Sequence, residues 1–332
     1  MPFRDPLAAH GGGFDPLQRV GELFAAFDAE RGMFGDRAPL RLGAVMLASM
    51  AGSAAELTQR VRGCAARLDQ HYGGWFSSVD RSVSFVIAAT LSRSGESVES
   101  FVEAIDRLRA RMDQLGVRRG GVHSLIAAMV LRQVVAGEPG EPEVLRMRLI
   151  YERMKHHHWF LTGPEDLAAC AMLVARPGTP HEIGDHVEAI YRRLAAAPKI
   201  WSGDELQTAA NVLGLIELAP DEVATRFLEL AASLRERGVK VRSGEYDEIA
   251  VLAFLPRSAP QITERVVAMR ERILAELSWY ETSMATNLAA DLVFVEFLQS
   301  DDDPRIAALA RAKFVLDMQS IVASRQAAAA TV

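Results

Sequence analysis

Cysteine is nearly missing from this sequence: Cys64 and Cys170 are the only two in 332 residues. Two isolated thiols cannot frame a zinc site alone and do not staple a small scaffold. A disulfide-built fold is therefore excluded, and a reducing, cytoplasmic setting is expected. An excess of basic charge is lacking too. The 37 Lys and Arg stand against 43 Asp and Glu, a formal net charge of −6. A general nucleic-acid binder needs the opposite balance against phosphate. No uncharged run reaches the ~20 residues that a bilayer-crossing helix requires. The opening Met1-Pro2-Phe3-Arg4-Asp5-Pro6 has no apolar core of the kind a secretory leader carries. Neither a membrane nor a nucleic acid is expected as partner. Catalytic signatures are equally scarce: there is no nucleophile elbow, Walker loop, paired CxxC or dinucleotide fingerprint. Gly11-Gly12-Gly13 also lacks the Lys-Ser/Thr that would hold phosphates.

What is present is a period. Ala88, Ala127, Ala168, Ala209, Ala250 and Ala289 follow one another in steps of 39, 41, 41, 41 and 39, each in an apolar helical stretch followed by a more charged one. Ile105, Ile150, Ile190, Leu230 and Met269 mark the second stretches at steps of 45, 40, 40 and 39. The long step coincides with Gly137-Glu138-Pro139-Gly140-Glu141-Pro142, an enlarged turn, which is where a helical repeat tolerates insertion. This grammar predicts an all-α fold of tandem helical hairpins, an α-solenoid or curved helical-repeat array. A lead-in and capping helix is expected over 1–38, with Asp15 as its N-cap and Pro16 at the first position. About seven hairpins of about 40 residues fill 39–323, at roughly 40–71, 78–116, 120–158, 162–197, 202–238, 243–278 and 282–323, and 324–332 form a flexible tail.

The repeat junctions carry two further signals. Trp75, Trp159, Trp201 and Trp279 lie where one hairpin hands over to the next. They are expected to wedge neighbours together, with ligand stacking as the alternative. Thr162-Gly163-Pro164-Glu165 and Ser202-Gly203-Asp204-Glu205 fit the capping box, in which an N-cap hydroxyl and an N3 carboxylate satisfy each other's amides. Ser243-Gly244-Glu245 repeats the cap without the N3 acid.

Candidate chemistry clusters at a few places. His156-His157-His158 suggests a divalent metal held by His156, His158 and Glu165. Against this, adjacent helical side chains diverge by about 100°, and a helix end is where histidines suit the dipole. His181-Glu182-Ile183-Gly184-Asp185-His186 is not a zincin motif, because its histidines stand five apart rather than four. Asp301-Asp302-Asp303-Pro304 resembles the acidic clusters of helical isoprenoid cyclases, but Asp303-Pro304 reads as an ordinary helix start. His123, Gln207, Asn211, Asn287 and Asp291 interrupt the apolar first helices. They are either a polar furrow for a ligand or the exposed stripe of amphipathic helices, the second being preferred. His123, His157, Trp159, Asp166, Trp201, Gln207 and Asn211 form the candidate ligand-binding set.

The stretch from His157 to Ala168, with Trp201-Ser202-Gly203-Asp204-Glu205-Leu206-Gln207 after it, resembles a bacterial family catalogued as domain of unknown function four thousand and three. The similarity covers most of the length and is strongest over 118–298. It implies an all-helical fold and a bacterial origin, and it transfers no catalytic residue. The expected function is therefore that of a helical-repeat binding protein presenting one face to a protein, peptide or small ligand, with a homo-oligomer as a further possibility. The alternative is a metal-dependent or other small-molecule enzyme working at the His156–His158 junction.

Overall fold

The computed structural model describes residues 15–30, 37–72, 81–117, 121–135, 137–158, 162–276 and 285–300, and the single positions 312, 313, 315, 316, 318 and 322. Among the described residues every regular element is a helix. No helix there is long and apolar enough to cross a membrane. The chain divides into two compact units. One is Met1–Ala104 with Ser320–Val332, the other Ile105–Gln319, so the division falls inside a helix, α5 (Val98–Gln114).

The first unit contains α1 (Pro16–Ala29), α2 (Ala38–Leu47), α3 (Ala54–Tyr72) and α4 (Arg81–Ser94). Asp15 caps α1 as expected, its carboxylate accepting from the amides of Leu17 and Gln18, with Pro16 in the first turn. α1 packs on α2 and α3, and α4 packs on both α2 and α3. Leu23, Phe27, Leu47, Leu57, Leu68 and Ile87 fill the space between. The Phe27 and Phe85 rings meet edge to face, 5.1 Å apart. Gly43 permits this, since a Cβ there would stand 2.7 Å from Phe85.

The second unit alternates two sets of helices, called short and long for most of their members, with α14 as long as α9 but in the first set by its place in the order. The short ones are α6 (Val122–Val134), α8 (Leu167–Leu173), α10 (Asp204–Leu213), α12 (Tyr246–Leu252) and α14 (Ala285–Ser300); the long ones are α7 (Glu141–His157), α9 (Pro180–Ala195), α11 (Pro220–Glu236) and α13 (Ala259–Glu276). Short packs on short in chain order, and long packs on long. All six marker alanines, Ala88 in α4 among them, are at most 1% exposed, and Ile105, Ile150, Ile190, Leu230 and Met269 are buried as well. Small side chains at these points let helix axes approach closely. The pairing differs from the predicted hairpins in phase. Between the two sets, each long helix packs on the short helix after it: α7 on α8, α9 on α10, α11 on α12 and α13 on α14. Ala168, Ala169 and Ala171 give α8 the thin flank this needs.

Two caps also depart from expectation. A 3-10 turn, Pro164–Asp166, precedes α8. Its N-cap is Gly163 rather than Thr162, and the acid that reaches back to the Gly163 amide is Asp166, at 3.0 Å, not Glu165. Starting one residue later moves the N3 position by one. A second 3-10 turn, Ser243–Glu245, is closed by Glu245 on the Arg242 amide, so the N3 acid is present after all. Ser202 makes no cap bond; α10 starts from Gly203, whose φ of 151° suits glycine. A complete box is instead built by Thr179 and Glu182 at the start of α9.

Candidate functional site

Asp166, Gln207, Glu248 and Asn287 each stand two residues before a marker alanine, and Cys170, Asn211, Leu252 and Asp291 each stand two after one. Residues four apart share a helix face, so successive short helices present the same two positions in the same register. Polar groups there are largely buried: Asp166 is 7% exposed, Gln207 4% and Asn211 2%. The preferred reading of Gln207 and Asn211 as an exposed stripe is therefore overturned. Their face of α10 is turned against neighbouring helices, where a polar atom must find a partner or cost free energy.

The partners fall into two clusters. At α8 and α10, Asn211 Nδ2 donates to Asp166 Oδ1 at 3.2 Å, and Gln207 Nε2 donates to Thr162 Oγ1 at 3.1 Å. The other oxygens of these amides, Gln207 Oε1 and Asn211 Oδ1, are buried and have no hydrogen-bond partner among the described residues. Burial lifts the Asp166 carboxyl to about 7, and the nearby carboxylates of Glu165 and Asp204 add to the rise. The Gly163 amide and the Asn211 side chain pull the other way. Among the described residues it has no cation as a partner. His123, on α6, has its pKa lowered by burial, with the Glu165 carboxylate opposing. Below Asp166, the thiol of Cys170 is buried, lies 3.5 Å from Met154 Sδ, and is pushed well up by burial and by the Asp166 charge.

At α12 and α14 the same positions carry a cation. Asn287 Nδ2 donates to Glu248 Oε1 at 3.1 Å, and Lys313 Nζ lies 2.9 Å from Asp291 and 3.8 Å from Glu248. Burial raises both carboxyls, and the lysine opposes the rise. Sequence inspection missed Glu248 and Lys313 and read Thr162 as an N-cap, although aligning the chain on its alanines places Glu248 in the polar register.

The long helices form a different surface. An open groove of about 750 Å³ runs over α7, α9 and α11, with Arg153, His157, Asp185, Glu188, Arg192, Arg193 and Asp221 on its walls and Ala189, Ala196, Ala224 and Leu228 among its lining. The charges are matched within it: Arg153 and His157 both bind Asp185, Arg192 binds Glu188, and Arg193 binds Asp221. Burial pushes the Asp185 carboxyl up, but hydrogen bonds from His157 and Arg153 outweigh it and hold the group below its ordinary value.

The three consecutive histidines thus go separate ways. His156 is exposed, His157 meets Asp185, and His158 Nε2 lies 2.5 Å from Glu188 with its ring against Tyr191. Among the described residues no three His, Cys, Asp or Glu side chains are placed to share a metal. His156, His158 and Glu165 are therefore not gathered, as their divergence along the helix requires. His181 and His186 are not a metal pair either: Glu182 is spent on the Thr179 cap, and burial, with Arg176 nearby, lowers His186 to about 4. Of the candidate ligand set, Asp166 and Asn211 are in direct contact and Gln207 shares their cluster through Thr162. His157 belongs to the groove instead. Trp201 does not wedge helices together: the residue is 73% exposed, and its backbone amide donates to the Tyr246 hydroxyl. Trp75, Trp159, Trp279 and the Asp301–Asp303 run lie outside the described residues.

No curated protein and no solved structure matches the chain. A family model described as protein of unknown function, DUF4003, matches residues 54–327, and the chain belongs to that family. The match covers most of the length, as the resemblance implied.

Proposed function

We propose that this DUF4003 protein is a helical-repeat binding module, its two-helix units stacked in the manner of an α-solenoid, and that the groove over α7, α9 and α11 receives a polypeptide segment. The observation that supports this reading is the groove itself. Three small residues, Ala189, Ala196 and Ala224, leave space between long helices that larger side chains would fill. Its walls alternate guanidinium and carboxylate groups that are already paired, so the surface is neutral in sum and polar in detail. Such a wall selects against a polyanion and fits a chain carrying both signs of charge, whose own groups exchange with the resident pairs.

The test is selection from a random peptide library on the native protein, followed by affinity measurement on two variants. Ala224→Trp fills the groove and should weaken the selected peptides by at least about tenfold, the scale of losing one central contact. Leu145→Ala, which trims an exposed side chain of α7 not among the groove residues, should leave them unchanged. Peptides indifferent to Ala224→Trp, or a library yielding no binder, would refute the reading.

A further inference from the structure

The α8–α10 cluster combines features that the groove does not. Its inward polar groups are oxygens: Thr162 Oγ1, the Asp166 carboxyl, Gln207 Oε1 and Asn211 Oδ1. Two of them, on side chains more than nine-tenths buried, are acceptors with no donor among the described residues. A buried acceptor without a donor costs free energy, and here two such atoms share one face of α10. The field around them is negative. Glu165 and Asp204 are exposed carboxylates close enough to shift the titration of their neighbours, and among the described residues no cation faces Asp166. The groups facing the site from the packed elements are His123 on α6, Glu165 on the 3-10 turn, Cys170 on α8, and Asp204 and Asn211 on α10. The equivalent positions on α12 and α14 meet the same demand with Lys313, a primary ammonium on a flexible stem.

We propose that the cluster of Thr162, Asp166, Gln207 and Asn211 is a binding site for a primary alkylammonium group of a small organic cation. The ammonium does at Asp166 what the Lys313 side chain does at Asp291. Its N–H bonds go to Gln207 Oε1, Asn211 Oδ1 and the Asp166 carboxylate, the three acceptors that the fold leaves in need of donors or charge. A divalent metal is disfavoured, because only one carboxylate reaches the inner cluster and no three ligating side chains of the usual kinds converge among the described residues. A quaternary amine is disfavoured because the two amide oxygens require N–H donors. Binding charges Asp166, so one proton leaves that carboxyl for solvent as the cation enters, and affinity rises with pH up to and beyond neutrality. This inference does not depend on the groove.

The experiment uses the full chain with methylammonium chloride as probe. Tetramethylammonium, sodium and calcium chlorides serve as controls at equal ionic strength. Calorimetry and thermal unfolding at pH 6 and pH 8 read affinity and stabilisation. The expected result is saturable stabilisation by methylammonium alone, tighter by about tenfold at pH 8 than at pH 6, with proton release detected by comparing buffers of different ionisation enthalpy. Asp166→Asn and Asn211→Leu should each weaken it at least about tenfold. Side-chain amide resonances of Gln207 and Asn211 should move during the titration, a readout that does not depend on how stable the variants are. Equal response to tetramethylammonium, response to calcium alone, or no saturable binding, with only ordered water on the amide oxygens, would each overturn the proposal.

Discussion

The two polar clusters of the second unit occupy the same positions of successive short helices, yet among the described residues one contains a cation and the other does not. At α12 and α14, Lys313 stands between Asp291 and Glu248; at α8 and α10, the partners of Asp166 among the described residues are an amide side chain and a backbone N–H. The scaffold is common, with an acid two residues before a marker alanine on one short helix and amide or acid groups on the next. The difference shows that the register fixes where polar groups are buried, while charge balance is settled locally. Where the chain supplies a lysine the cluster is a closed ion network. Where it does not, the carboxyl answers burial by holding its proton to about pH 7.

The comparison breaks most sharply at its charged member. Lys313→Met leaves two buried carboxyls facing each other and should cost about 3–5 kcal/mol, the usual penalty for stripping one partner from a buried pair. A loss below about 1 kcal/mol in chemical denaturation would show that solvent already neutralises that cluster. The uncompensated member should behave in the opposite way. Because folding raises the Asp166 pKa from 3.8 to about 7, the folded state binds the proton more tightly than the unfolded one. Its contribution is full below pH 3.8 and is lost as pH climbs through 7. The loss is about 4 kcal/mol at 1.4 kcal/mol per pKa unit. Asp166→Asn removes this dependence and should make the protein more stable than wild type at pH 8, measured by urea midpoints, and no more stable at pH 4.

His186 acts against this in the same window. Its pKa is lowered to about 4, so its contribution is present above 6.5 and lost as pH falls through 4. Between pH 4 and 7 His186 therefore offsets part of the Asp166 slope, and Asp166→Asn should shift the profile toward a decline on acidification relative to wild type.

Much of this was legible in the sequence because a 40-residue self-similarity is a global signal that no local ambiguity hides. The alanine markers and the second-helix apolar series gave the order of helices and their buried faces. The phase of pairing was not legible: whether a long helix leans on the short helix before or after it depends on close approach in space, and both choices bury the same residues. Nor could the sequence distinguish Glu165 from Asp166 as the capping acid, since both follow Gly163 and only the 3-10 start of α8 decides. Trp201 misled for a general reason. A tryptophan at a junction is counted as core by its size, yet here the junction's buried work is done by Tyr246. Glu248 could have been found by aligning on the alanines. Lys313 could not, because nothing in its own neighbourhood announces a buried acid pair on other helices.

Smaller effects separate the real caps from the apparent ones. Thr179→Ala breaks the box at α9 and should cost about 1 kcal/mol. Ser202→Ala touches no cap bond and should fall within about 0.5 kcal/mol of wild type by thermal unfolding. The reverse ranking would restore the sequence-based assignment of the α10 start.

Carboxyl-detected NMR titration of Asp166 in the intact protein, free of added amines, reaches the heart of the comparison. The midpoint is expected near 7, far above the 3.8 of an ordinary aspartate. A midpoint at or below 3.8 would mean that Asp166 is already compensated, and that the two clusters do not differ in the way described.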